Sequence, residues 1–209
     1  MTRIGRIISV AVGGGLLAGF LAGCGGAGTG APSEEKARLR GLLQRHAALP
    51  EGFSAKVRDP WQSPFTTTDR DCQAVLDTAT GNPPKRALQA KAAASYQGDV
   101  LGETAAVGLA SYAGSEAEEH LEALGKSLAA CAKLAAAGTG TVFKLADLPV
   151  SGVGDEAVAR RVRGRLNGYP YAFNLVLVRD GGTLMTLVHT GIRKVDPRRT
   201  RELAGALAQ

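Results

Sequence analysis

Tyr171-Ala172-Phe173-Asn174-Leu175-Val176-Leu177-Val178-Arg179, then Asp180-Gly181-Gly182, then Thr183-Leu184-Met185-Thr186-Leu187-Val188-His189-Thr190: this stretch decides the fold class of the 209-residue chain. Two runs rich in Val, Leu and Thr flank a glycine turn, the clearest hairpin signal in the sequence. Asp196 and Pro197 follow as N-cap and first-turn residues of a closing helix, with Leu203, Ala204 and Leu207 on its inner face.

Upstream, Glu156 to Arg165 alternates and reads as a strand, and Thr141 to Leu145 as another. Ser115-Glu116-Ala117-Glu118 has the form of a capping box, opening a long helix over Glu116 to Ala137 with Glu122 and Lys126 paired on its wet face. Ala90 to Gln97 and Glu103 to Tyr112 read as two strands joined around Gly98-Asp99. Thr68-Asp69-Arg70-Asp71 caps a helix carrying Cys72, Val75, Leu76 and Ala79, which Gly81 can stop. Pro60 to Thr68 is a loop holding the single Trp, Trp61; Phe53 to Val57 could be a first strand, and Glu34 to Ala48 a first helix. Hairpins dominate. The expected fold is therefore α+β, a mainly antiparallel sheet packed by three to four helices in a single domain.

The composition agrees. Hydrophobic residues at 44% and charged residues at 21% exclude a wholly disordered chain. Aromatics at 5% leave Leu, Val and Ala to build the core.

The first residues read as an address. Arg3 and Arg6 precede an uncharged run from Ile7 to Leu21, too short for the roughly 20 apolar residues of a spanning helix. Leu21-Ala22-Gly23-Cys24 looks like the lipobox of bacterial lipoproteins. In that family the Cys thiol is joined to diacylglycerol and the chain is cut just before it. The alternatives are a signal peptide without lipid and a membrane anchor with an incidental Cys. The expected organisation is a signal peptide over 1–23, lipidated Cys24 with a flexible tether over 24–35, and one domain over 36–209. Two acyl chains suffice for stable anchoring where one does not. Cleavage leaves 23 basic against 19 acidic side chains, a mild excess of about +4 that argues against a nucleic-acid partner.

With Cys24 assigned to lipid, Cys72 and Cys131 remain, and an even remainder in an exported chain points to a disulfide. Ala117, Leu121, Leu124, Leu128, Cys131 and Ala135 step by helical intervals, so both cysteines fall on inward helix stripes. Two buried free thiols are the bland alternative. A catalytic thiol would need exposure and an activating base.

The search for chemistry returns little. His46, His120 and His189 have no metal-ligand spacing, and no GxSxG elbow surrounds any serine. His120 is read as solvated. Gly152-Val153-Gly154-Asp155-Glu156-Ala157 fits GxGxxA only formally, since a strand follows it; a loop with positive-φ glycines is the better reading. No catalytic residue, metal or cofactor is assigned. Arg161, Arg163 and Arg165 share one side of an extended Glu156 to Arg165 and could meet an anionic envelope ligand, with Tyr171 nearby lining a cleft. A solvated sheet face explains the same row.

Cys72 at the first mid-chain helix, Cys131 late in the long helix, the Leu148-Pro149 to Gly154-Asp155 segment, Leu175-Val176-Leu177-Val178-Arg179 and the Leu/Ala-rich closing helix together form a recognisable layout. Over roughly residues 36–209 it resembles the actinobacterial sensor-domain lipoproteins related to the extracellular domain of the kinase PknH. The resemblance implies an extracytoplasmic α+β domain with a ligand-binding cleft. Some relatives carry a second disulfide, for which this chain has no cysteines, and no kinase domain is present to carry signalling over. The expected role is a membrane-anchored, non-enzymatic sensor-like or ligand-binding lipoprotein, partnered by the membrane and by an anionic envelope ligand or another envelope protein. The alternatives are a carrier of lipid or other apolar ligand, and a small envelope hydrolase.

Overall fold

The hairpin sits at the middle of a seven-stranded sheet. The computed structural model describes residues 31–44, 49–192 and 194–208. Cys24, the signal segment, the tether up to residue 30 and His46 lie outside the described residues. Strands β1 (Leu88–Gln97), β2 (Thr104–Tyr112), β3 (Lys133–Ala135), β4 (Val142–Asp147), β5 (Glu156–Leu166), β6 (Tyr169–Asp180) and β7 (Thr183–Gly191) lie in the order β1-β2-β7-β6-β5-β4-β3. Every pairing is antiparallel. With helices α1 (Ala31–Leu43), α2 (Arg70–Ala79), α3 (Glu116–Ala130) and α4 (Pro197–Leu207), the fold is α+β in a single domain.

The central strands are apolar on both faces because both are covered. Phe173, Leu175, Leu177, Leu184 and Val188 join Val75 and Leu76 of α2 and Leu121, Leu124 and Leu128 of α3 in one core. Val176, Val178, Met185 and Leu187 join Leu39 and Leu43 of α1 and Leu203 of α4 in the other. Among the described residues, the buried members of both cores fall within residues 39–204. On β2, Ala106, Gly108 and Ala110 turn toward α2, and a Cβ on Gly108 would lie 3.7 Å from the Thr78 carbonyl oxygen, so small residues here permit close helix approach. Asp155 pins the hairpin turn: its Oδ2 accepts from Arg179 Nη1 at 2.7 Å and from the Gly181 amide at 2.9 Å.

Several expectations need correction. The long helix stops at Ala130, with Cys131 as C-cap. Beyond it Leu134 and Ala136 are buried while Ala135 is exposed, a period of two that pairs β3 with β4. The Ser115 capping box does not form; its hydroxyl donates to Glu119 Oε1 at 3.4 Å instead. Phe53 to Val57 is no strand: isolated bridges pair Phe53 with Gly98, just past β1, and Arg58, just past the segment, with Ser95. The first helix begins at Ala31, within the stretch read as tether, and ends at Leu43. His120 is buried rather than solvated, because α3 packs over the end of β2. Its Nε2 lies 3.0 Å from the Arg86 carbonyl oxygen and its ring 4.6 Å from that of Tyr112.

Candidate functional site

His189 continues the inward stripe of Met185 and Leu187 along β7, under α4, and is 1% exposed. Its Nε2 is 2.9 Å from Glu103 Oε1, and its Nδ1 is 2.8 Å from Thr200 Oγ1. Thr200 is presented by the first turn of α4, fixed by Asp196, whose carboxylate accepts from the Arg198 amide at 2.9 Å. Thr200 Oγ1 also accepts from Asn174 Nδ2 at 2.7 Å. A directional chain results: Asn174 donates to Thr200, Thr200 to His189, and His189 to Glu103. The single Thr200 proton is shared with the Asp196 carbonyl oxygen, 3.0 Å away. Burial pushes the His189 imidazole below its ordinary value, outweighing the Glu103 carboxylate that would raise it. A neutral ring with its proton on Nε2 satisfies these contacts.

Glu103 closes the β1–β2 connection and is itself buried. Arg199 Nε lies 3.0 Å from its Oε1, close enough for charge attraction but not aimed for a hydrogen bond. Arg199 Nη2 donates to Asp99 Oδ1 at 3.0 Å, and the guanidinium sits 4.6 Å from the Phe53 ring centroid. The edge of that ring meets His189 at 5.8 Å between centroids. Two glycines make this crowding possible. A Cβ on Gly98 would lie 2.2 Å from Glu103 Oε2, and one on Gly52, at φ +89°, 2.6 Å from Arg199 Nη2.

This polar cluster floors a cleft of ≈ 490 Å³. Val100, Leu101 and Ile192 form its lip, at 59%, 83% and 41% exposure, and Lys194 and Val195 line its side. An apolar lip over a charged floor suits a small molecule with one polar end. The hydroxyl–imidazole–carboxylate series has the order of a hydrolase triad, but Thr200 is 0% exposed, which leaves no room for a scissile carbonyl at its oxygen. Among the described residues no group of three or more His, Cys, Asp or Glu is placed to hold a metal ion.

The other predicted residues fall elsewhere. Cys72 and Cys131 are joined in a disulfide, Cα to Cα 5.1 Å, where the start of α2 meets the end of α3. Arg161, Arg163 and Arg165 share the sheet face that carries α1 and α4. Arg161 pairs in register with Asn174, and its Nε is buried without a partner. Tyr171 does not join them. It pairs with Gly164, so period-two alternation turns it to the opposite face, where it packs against Phe143 and Phe173. Burial there raises its phenol to about 12. Gly152 and Gly154 do take positive φ, +71° and +58°, and β5 follows them. Sequence reasoning missed Glu103, Arg199 and Thr200 entirely. Glu103 read as the first residue of a strand and Arg199 and Thr200 as residues of the closing helix, and only their convergence where α4 meets β7 marks them.

A seven-stranded antiparallel sheet between two helix pairs defines an α+β domain class with a solved extracellular example. The extracellular domain of PknH from Mycobacterium tuberculosis has this fold: TM-score 0.58 at 12% identity, over 82% of this chain and 95% of that one. An uncharacterised Rv0999 ortholog from Mycobacterium smegmatis aligns with TM-score 0.46 at 15% identity, over 79% of this chain and 92% of its own. No family model matches the chain, and no curated protein does. The PknH likeness agrees with the resemblance read from the sequence, and at this identity it speaks for the fold.

Proposed function

We propose that the chain is an extracytoplasmic lipoprotein, anchored to the membrane through lipid on Cys24, whose domain is a non-enzymatic sensor-like or ligand-binding module. The observation that carries this reading is the cleft at His189: an open apolar lip above a floor of buried, hydrogen-bonded Glu103 and His189, with the Arg199 guanidinium beside Glu103. The lipobox-like Leu21 to Cys24 supports export and anchoring, and the Cys72–Cys131 bridge suits an oxidising compartment. The same fold in the extracellular domain of a kinase is compatible with binding rather than turnover.

The ligand is a small molecule with an apolar part against Val100, Leu101 and Ile192 and a polar end toward Lys194 and Arg199. That apolar lip also favours a second reading, in which the domain carries such a ligand through the envelope. Native mass spectrometry of the lipid-free domain from its own host tests both. A co-purifying small mass is expected, lost when Ile192→Trp fills the cleft. A mass unchanged in Ile192→Trp places the ligand elsewhere, and no mass at any gentleness of ionisation sinks the ligand reading.

A further inference from the structure

We infer that the basic β3–β4–β5 end of the sheet docks flat on an anionic lipid bilayer. On the face that bears α1 and α4, α1 lies over β1 and β2 and α4 over β6. The loop after β4 (Leu148, Val150, Val153) packs over Ala157 and Ala159 at the start of β5, and among the described residues Lys133, Lys144, Arg163 and Arg165 farther out are exposed. Register places Lys133 opposite Lys144, and Lys144 opposite Arg163. Leu134, Phe143 and Val162 of the same strands face the α2–α3 core, so all three cations point the other way. Arg161 and Arg165 extend the row along β5. None of these five side chains pairs with an acid among the described residues, whereas Arg160, on the opposite face of β5, is paired with Asp147.

Like charges directly opposite on neighbouring strands destabilise a sheet. Two such pairs in one row, with no acid between them, call for an external anion. The cations do not converge on one point. They spread roughly 10 Å across three strands and about 13 Å along β5. That spacing suits many separate lipid phosphates better than one small ligand. Val142, on the same face as Lys144, is 51% exposed. An exposed aliphatic side chain within a basic patch fits the headgroup boundary.

Placement agrees as well. The chain enters the fold at Ala31, in the helix of this same face. Six residues lie between it and Cys24, and that many cannot span more than about 25 Å. The proposal rests on the anchoring reading for the presence of a bilayer, but it is tested without the anchor.

The test is flotation of residues 31–209, which contain both cores, with phosphatidylglycerol–phosphatidylcholine vesicles at low salt. Each basic side chain near an anionic surface contributes roughly fivefold in partitioning. Lys133→Gln/Lys144→Gln/Arg163→Gln is therefore expected to lose about 100-fold on that scale. Arg70→Gln/Lys85→Gln/Lys126→Gln removes equal charge from elsewhere on the surface and should bind nearly as wild type. Wild-type binding should fall with added salt and be absent on pure phosphatidylcholine. Thermal melting checks that both variants stay folded, and the wild-type salt series needs no variant. Equal loss in both variants means net charge alone, and overturns the proposal. So does absent vesicle binding, or binding to soluble polyphosphate without vesicle binding. Whether Cys24 carries lipid is read separately, from membrane fractionation of the full chain, so either idea can fail alone.

Discussion

Breaking the Cys72–Cys131 bridge is the perturbation whose size follows most directly from the fold. The two cysteines are 59 residues apart and enclose most of α2, β1, β2 and all of α3. Closing a loop of that length removes about 14 cal/mol/K from the unfolded chain, or about 4 kcal/mol at 25 °C. Both sulfurs are buried, at 1% and 4% exposure. Cys72→Ala/Cys131→Ala therefore also loses packing, roughly another 1–2 kcal/mol on the scale of one buried methylene each. Reducing the wild type keeps the sulfurs and removes only the loop constraint, so the two experiments separate the terms. For a domain of this size about 4 kcal/mol corresponds to a fall in Tm of roughly 8–16 °C. Calorimetry of oxidised, reduced and double-variant protein under identical conditions measures it. The double variant should melt a few degrees below the reduced wild type. A reduced protein melting within about 3 °C of the oxidised one would refute the reasoning. It would mean that the unfolded chain already holds α2 and α3 together, or that reduction relieves native strain.

Cys24→Ala should release the protein from membranes or leave an uncleaved precursor; mature protein still in the detergent phase would contradict lipid anchoring. His189 is held neutral by burial, so the unfolded chain takes up its proton first as pH falls. Stability should be full above the unfolded value of about 6.5 and decline below it, and His189→Gln should flatten that decline in urea titrations across the acid range; an unchanged slope would assign it to other groups. Gly98→Ala should cost roughly 2 kcal/mol or more by urea unfolding, because its Cβ would collide with the Glu103 carboxylate. A neutral Gly98→Ala would show that Glu103 swings free of the floor.

The sheet was largely legible because its signals are local. Asp180-Gly181-Gly182 between two β-rich runs can close only as a hairpin, and β6 and β7 pair around it. Asn167 and Gly168, both at positive φ, make a second tight hairpin between β5 and β6 from an equally local signal that was passed over. Asp69 and Asp196 cap their helices as their spacing indicates. Where the reading failed, two periods competed. Leu128, Cys131 and Ala135 fit a helix by count, yet tethering Cys131 to Cys72 and burying Leu134 against Phe143 turned the chain into β3. His120 and Ser115 were assigned from their neighbours in sequence, while their partners Arg86 and Glu119 answer to packing.

By itself the sequence determined the fold class, the pairing of Cys72 with Cys131 and the alternation that puts Arg161, Arg163 and Arg165 on one side. Each depends only on residue type at a fixed chain spacing of two, or of three to four, and on an even count of thiols. Only the tertiary structure decided which face that side is, that Tyr171 lies on the other, and that Lys133 and Lys144 complete the basic row. It alone brought Glu103, His189, Arg199 and Thr200 under one helix. Those contacts join residues 86 to 100 positions apart, or hang on how α4 lies over β6 and β7. Chain separation of that kind leaves no period in a sequence, because the packing of distant apolar stripes sets it, not the polar groups themselves.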